Sequence, residues 1–599
     1  MFVHLSMFPF TPLRNPIGFG AMDSIELLLA VVLVLMALLW RRWVAPFAAR
    51  FARRTVWCMV FLAALPVLLR LALLAHHPAP VPDLYDEFGH LLVADTLRHW
   101  RLANPPHALS QFFETFFVLQ RPTYSAIYPL GNGLLMALGQ ALFATPWAGV
   151  LIGLAAFCSL CFWMLRGWVS PGWSLCGGLL AVMLFGPLNQ WTNNYWGGHL
   201  VAAGGCLVFG ALPRLGLQGR RGRGAGVLLG LGLAVNLLTR PYETVFLLLS
   251  VTLYLVPAWR RRAVPWHGLL LAALVVLPAL GLTVLQNRRV TGAWTTLPYQ
   301  LSMYQYGVPA PLTFQLSLQP HVLLTREQDF DYRMQRGFHP GRDSPGSYAA
   351  RLLFRTRYYR FYFYAPLYVA LLAFLVSIRS YRRAWVALTC LLFALGVNFF
   401  PAFQFHYLGA VACLFLLMSV QGLERITRWP HGVEAARLII FLCATQFAFW
   451  FGLHLNDTRD FARQMLAFDG WDSVNHTNPE RRIAVQADVA KTAGRLLIFV
   501  RYWPQHPFQD EWVYNGADID GQRVVWARDL GSAENEKLIA YYGERKVMLL
   551  EPDARPPELS AYAVAATEKT EQVTAPVIAP APALKETGKK PLLILEQVR

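Results

Sequence analysis

"PDLYDEFGHLLVADTLRHW", Pro82 to Trp100, is the stretch on which the reading of the whole chain turns. It follows an apolar run, 56–75, long enough to cross a bilayer. It then sets Asp83, Asp86, Glu87 and His90 within a turn or two of helix. Three- and four-residue steps bring side chains onto one helix face, so Asp83, Asp86 or Glu87, and His90 would share one. Helix capping accounts well for Asp83, because acidic side chains favour the positive end of the helix dipole. It accounts less well for an Asp-Glu pair and a histidine at a membrane boundary, where carboxylates are costly and mark function.

Composition places this stretch in a polytopic membrane protein. The 599 residues are 55% hydrophobic and only 15% charged, where a soluble protein carries about 25% charged residues. Spans are expected at 24–40, 56–75, 147–165, 173–188, 198–212, 225–239, 243–258, 266–285, 361–378, 385–400, 406–421 and 436–454. The formal charge of +18 is mostly arginine in short loops, at 41–54, 214–223, 260–262, 379–383 and 425–437. All of these fall on one side of that set of spans, which the positive-inside rule makes the cytoplasm. The charge forms no basic stripe with a binding motif, so a nucleic-acid partner is set aside. The eight cysteines are scattered and form no CxxC pair, which speaks against a zinc site or a disulfide framework. No lysine precedes Lys491, so a cation serving chemistry in the membrane part is arginine or protonated histidine.

"YPLGNGLLMALGQALFAT", 128–145, is apolar enough to span but short, and it contains three glycines, an asparagine and a glutamine. Counting it as a span would put the loop holding Asp86 and the arginine loop at 214–223 out of phase. It is therefore expected to lie in the interface. The resulting organisation is an extra N-terminal helix and arginine loop (1–55), and a transmembrane domain (56–455) with external loops at 76–146 and 286–360. A small extracytoplasmic α/β domain follows (456–555), then a disordered tail (556–599) rich in Pro, Ala, Lys and Glu. The α/β expectation rests on the apolar runs 495–503, 522–530 and 545–553, with a helix between the last two. No internal repeat is visible, which argues against a transporter built from repeated halves.

The acidic loop after an early span, together with "NNYWGGH", "TRPYE" and a C-terminal external domain, resembles membrane glycosyltransferases of GT-C fold. These include the protein O-mannosyltransferases and the bacterial lipid A aminoarabinose transferases. The resemblance implies a mainly α, polytopic bundle in a bacterial inner membrane. It also implies transfer of sugar from a polyprenyl-phosphate donor to an extracytoplasmic glycan, lipid or protein acceptor. Asp86 matches the family's acidic position, with Glu87 beside it; these two are the candidate catalytic residues. Many relatives carry a lysine before the prolines that precede the interfacial helix. "SAIYPL" has none, so that role falls to Arg121 or to no residue.

Candidates for substrate binding are Asp83, His90, Arg121, Tyr195, His199, Arg240, Tyr299, Arg355, Arg360 and His406. A lipid phosphate leaves as an anion and needs positive charge nearby, and "YAARLLFRTRYYRFYFY" sets Arg355 and Arg360 outside, before a span. Tyr195 and His199 fit an interfacial belt as well as a sugar platform, and His406 fits a satisfied polar group as well as a phosphate ligand. Tyr299 stands in an aromatic, amide-rich stretch, 291–309, suited to a groove or to loop packing. Glu243 is expected to pair with Arg240. The sequence names no cofactor; a divalent metal held by Asp83, Asp86 and His90 is the weaker expectation. The alternative function is a transporter or flippase, which would want ionisable groups near mid-span. An O-antigen-ligase-like enzyme, also using a polyprenyl carrier, would not need the acidic loop.

Overall fold

The computed structural model describes residues 28, 29, 31–33, 35, 46–82, 84–217, 219–338, 343–455 and 480–562. Asp83 and tail residues 563–599 lie outside the described residues, as does most of the expected span 24–40, whose described residues are helical.

The apolar runs form helices α1 (Thr55–Ala72), α4 (Pro146–Leu165), α5 (Pro171–Phe185), α6 (Gly198–Ala211), α7 (Arg220–Thr239), α8 (Pro241–Arg260) and α9 (Trp266–Thr291). Between α1 and α4 come α2 (Tyr85–Arg98) and α3 (Leu130–Phe143). The long loop after α9 folds into α10 (Pro298–Tyr306), α11 (Arg326–Phe338) and α12 (Pro345–Arg355). The bundle closes with α13 (Leu367–Leu375), α14 (Tyr381–Val397), α15 (Ala412–Ile426) and α16 (Gly432–Leu455). Proline opens α4, α5, α8, α10 and α12, where its fixed φ suits the first turn and its missing N–H costs nothing. Among the described residues, seven helices are long and apolar enough to cross a membrane.

The structure departs from the expected spans at 361–378. Only Leu367–Leu375 is α-helical there. The preceding Thr356–Tyr362 is a 3-10 turn, and Pro366 disfavours helix at the residue before it. Over the stretch 128–145, α3 has 14 residues, about 21 Å at 1.5 Å per residue, as short as the 14-residue α6. Its Leu134, Leu138 and Leu142, four residues apart, are exposed. Its other face meets α4 backbone to backbone; a Cβ on Gly139 would lie 2.1 Å from Gly149 N.

The stretch 189–199 is buried rather than an open external loop. Asn189 and Thr192 are wholly buried, and Trp191 is nearly so. Irregular backbone at this depth must satisfy its own polar groups, which explains the asparagine content. Asn189 Nδ2 donates to Leu184 O at 2.9 Å, and Asn193 Nδ2 to Pro187 O and Asn189 O at 3.0 and 2.8 Å. Arg70 Nε donates to Asn193 Oδ1 at 2.8 Å.

After residue 480 come α17 (Glu480–Lys491), strands β3 (Leu496–Val500) and β4 (Val524–Arg528), α18 (Ser532–Tyr542), β5 (Lys546–Glu551) and β6 (Glu558–Ala561); a short hairpin, β1 (Val118–Leu119) with β2 (Ser125–Ala126), lies in the first loop. The larger sheet has order β4-β3-β5-β6. β3 runs parallel to β4 and β5, with Ile498 opposite Trp526 and Met548. The expected boundary at 555 is too early, because β6 adds an antiparallel fourth strand beyond it.

This domain is built onto the loops 76–146 and 286–360. Arg528 pairs with Glu327 of α11. Tyr514 OH donates to the carbonyls of Tyr85 and Phe116 at 3.0 and 2.8 Å, and its ring stacks on Phe88 at 4.4 Å. His107 Nε2 lies 3.2 Å from Asp520 Oδ1. The loop 76–146 and the C-terminal domain therefore occupy the same end of the bundle. The arginine loops gather at the other end, where Arg214 Nη2 donates to Trp163 O at 2.8 Å and Tyr381 OH to Leu253 O.

Cysteines introduced at Trp100, which is 97% exposed, and at exposed Glu536 are both expected to react with a membrane-impermeant maleimide in intact cells. One at exposed Arg221 should react only after lysis. The natural cysteines give little background, since seven are buried and Cys176 is half-buried. Reaction at only one of the two external positions would break this topology.

Candidate active site

α2 begins with a cap made by its own Glu87, whose Oε2 accepts from Leu84 N at 3.2 Å. Its Oε1 accepts from Tyr195 N at 3.2 Å, tying α2 to the buried turn. Both Glu87 carboxylate oxygens thus accept from backbone and hold the start of α2 against the buried turn. Asp86, one residue earlier, points elsewhere. Its Oδ1 accepts a short bond from Tyr128 OH. Gly89 makes this geometry possible: a Cβ there would sit 2.5 Å from Tyr128 Cε2, so only glycine lets the ring lie across α2. His90 packs on the same ring at 4.0 Å. Asp86, His90 and Tyr128 form one face, as the three- and four-residue spacing predicts. A cleft of about 270 Å³ opens on the other face of α2, lined by Phe88, Leu91, Asp95 and Tyr514.

The other groups arrive from four separate elements. Arg240, in the turn between α7 and α8, is the cation that acts on Asp86, and it lies over the Tyr407 ring at 5.0 Å. Its charge also acts on Glu243, His90 and His406. Glu243 is 2% exposed with Oε1 unpartnered, so the expected Arg240–Glu243 ion pair is a charge interaction across the site rather than a contact. Tyr299 of α10 senses Arg240, Glu243 and Asp86, and donates to Ala310 O at 3.2 Å. His406 is buried against Trp196 at 5.5 Å. Asp331 of α11 completes the set, within electrostatic reach of Asp86.

Burial raises the Asp86 carboxyl above the usual range; the Tyr128 hydroxyl and Arg240 pull it back only in part. Burial and the Arg240 charge push the His90 imidazole down to about 3, so it stays neutral. A buried carboxyl raised in pKa and acted on by an arginine marks a candidate functional site.

Of the sequence candidates, Asp86, His90, Arg240, Tyr299 and His406 come together here. Arg355 reaches the edge of this set through its charge on Tyr407, but its donors are taken up elsewhere. Nη1 is bound to Val397 O at 3.1 Å, and Nη2 to Phe400 O and Pro401 O at 2.7 and 3.0 Å, so it braces the loop before α15. Arg360 is exposed and acts on Tyr368. Arg121 is exposed too, and the carboxylate it acts on is Glu114. Tyr195 donates to Pro80 O at 2.7 Å, and His199 Nε2 lies 2.8 Å from Phe185 O; both belong to the buried turn and its flanking helix. Among the described residues no group of three His, Cys, Asp or Glu side chains converges to hold a metal ion. Tyr128, Tyr407 and Asp331 were not singled out from the sequence. Tyr128 alone left a signal there, since Gly89 is an odd choice inside a helix.

No family model matches the chain, and no curated protein matches it. Among solved structures it is similar to ArnT from Cupriavidus metallidurans in the apo state, at 12% identity over 83% of this chain and 93% of that one, TM-score 0.46. It is similar to the same protein bound to undecaprenyl phosphate, at 11% identity over 82% and 92%, TM-score 0.46. It is also similar to the apo Archaeoglobus fulgidus oligosaccharyltransferase, at 13% identity over 83% and 69%, TM-score 0.34. At these identities and TM-scores the likenesses carry no argument about what the chain does.

Proposed function

We propose that this protein is a GT-C-type membrane glycosyltransferase. It moves a sugar from a polyprenyl-phosphate-linked donor to an extracytoplasmic acceptor, with Asp86 as the general base. The observation that carries this reading is a buried Asp86 carboxyl, bonded to Tyr128 and acted on by the Arg240 charge, at the bundle end opposite the arginine loops. A carboxylate of raised pKa, bonded to Tyr128, stands within reach of a cation free of any carboxylate contact among the described residues. In the reaction the acceptor hydroxyl gives its proton to Asp86 as its oxygen bonds to the anomeric carbon. The bond from that carbon to the phosphate oxygen breaks, and the electron pair leaves on the lipid phosphate. Arg240 stabilises that anion. Tyr407, Tyr299 and neutral His90 supply aromatic and hydrogen-bonding surface for a sugar. The site faces outward by the positive-inside rule, away from the cytoplasm where nucleotide sugars are made. A transporter would place ionisable groups near mid-span; here they stand at helix ends.

The test is donor class. Purified protein in lipid nanodiscs is expected to pass label from undecaprenyl-phosphate-linked hexoses or pentoses to an envelope extract. It should leave nucleotide sugars untouched. Turnover of a nucleotide sugar without lipid carrier would overturn the reading.

A further inference from the structure

Among the buried carboxyls the mechanism above leaves unused, Asp331 is the one acted on by Asp86. Asp331 is wholly buried on α11, an element the external loop alone supplies. Its Oδ2 accepts from Gln335 Nε2 at 2.7 Å, one turn along, and its Oδ1 has no partner among the described residues. The other charged groups of α11 have partners of their own or lie exposed: Arg326 donates to Trp503 O, Glu327 pairs with Arg528, Arg333 with Asp329, and Arg336 is exposed. The charged group that acts on Asp331 is Asp86, across the site on α2. Tyr85, the residue before Asp86, is acted on by both carboxylates and by Tyr514, which packs there from the C-terminal domain. A buried carboxyl with a free oxygen and no cation at hand is expensive to keep. Here it is kept where the fold brings it to Asp86.

We propose that Asp331 is the second carboxylate of the Asp86 site, a positioning residue whose negative charge makes Asp86 hold the acceptor's proton more tightly as the glycosidic bond forms. This rests on the reading of Asp86 as base. The step stays balanced, because Asp331 neither gives nor takes an atom: the acceptor O–H breaks to Asp86, and the phosphate leaves with its electron pair. Like charges in a poorly solvated site push each other toward the protonated form. Burial, opposed by the Gln335 bond and reinforced by the Asp86 charge, raises the Asp331 carboxyl to about 7. Its charge is therefore present above neutral pH and is lost as pH falls through that value.

Two measurements test this. The first needs no substrate: infrared titration of the carboxyl band in purified protein in nanodiscs. A carboxyl titrating near neutral pH is expected in the wild type, absent in Asp331→Asn, kept in Asp331→Glu, and moved to lower pH in Asp86→Asn. The second is the pH profile of transfer from undecaprenyl-phosphate-linked sugar. Asp331→Asn should move the acidic limb down by about one unit and lower the plateau about ten-fold, with KM little changed. Asp331→Glu should restore the limb, which a merely structural role would not. Asparagine is nearly isosteric and can keep the Gln335 contact, so folding should survive. An unchanged infrared titration in Asp331→Asn, or an unchanged limb and rate, overturns the inference while an inactive Asp86→Asn leaves the base reading standing. An active Asp86→Asn removes the base reading, and this inference with it.

Discussion

Asp86→Asn is expected to lose transfer by about a hundred- to ten-thousand-fold, the usual cost of removing a general base, while still inserting and still binding the lipid-linked donor. Asparagine keeps the size of the side chain and can still accept from Tyr128, so the site's shape should survive. What it cannot do is take a proton. The wild-type pH profile carries the same information. Burial raises the Asp86 carboxyl, so its ionised, active form is lost at a higher pH than for an ordinary aspartate as the solution is acidified. Activity should fall on the acid side in step with that protonation, and Asp86→Asn should show no such limb. Glu87→Gln separates the two acidic neighbours. Its carboxylate accepts from the backbone of Leu84 and Tyr195, so an amide in its place costs stability more than rate. A normal rate in Asp86→Asn with a collapsed rate in Glu87→Gln would move the base by one residue. A normal rate in both would leave the pair as helix-capping groups.

The parts of this molecule that were legible in the sequence are those decided by local pattern. Apolar run length placed most helices, and the alternation of arginine loops separated the two ends of the bundle. Three short apolar runs placed β3, β4 and β5 within a few residues. The i, i+4 spacing put Asp86 and His90 on one face. What pattern could not reach was decided by packing between distant segments. "NQWTNNYWGGH" looks like an exposed polar loop because asparagine is common in loops. Here the asparagines replace water as partners for a buried turn. The arginines before α13 look like a phosphate site because they stand outside, but nothing local says that Arg355 will be consumed by the carbonyls of 397–401. Asp331 sits in a polar helix, "REQDFDYRMQRGF", whose charges look solvated until α11 is seen folded against the α/β domain.

Arg240→Gln is the second large effect expected, a loss of about a hundred- to a thousand-fold in kcat, the scale of removing one donor aimed at developing negative charge. The sequence shared this role among several external arginines. The structure leaves Arg240 as the cation that acts on Asp86, with its guanidinium held over Tyr407 and no carboxylate in contact among the described residues. Two roles must be told apart. Arg240 stabilises the Asp86 carboxylate, so removing it raises the Asp86 pKa further and moves the acidic limb to higher pH. If that were its whole contribution, raising the pH would restore the wild-type rate. If it also neutralises the departing phosphate, the deficit persists on the alkaline plateau, where Asp86 is ionised in both proteins. A persistent deficit is the outcome expected. Arg240→Lys should recover part of it, because a point charge remains while the forked, two-bond grip on a phosphate is gone. Arg355→Gln serves as the contrast: its donors brace a loop, so it should lower thermal stability and leave the pH profile of whatever protein folds unmoved. Full recovery of Arg240→Gln at high pH would confine Arg240 to tuning the base, and the phosphate of the donor would need another partner.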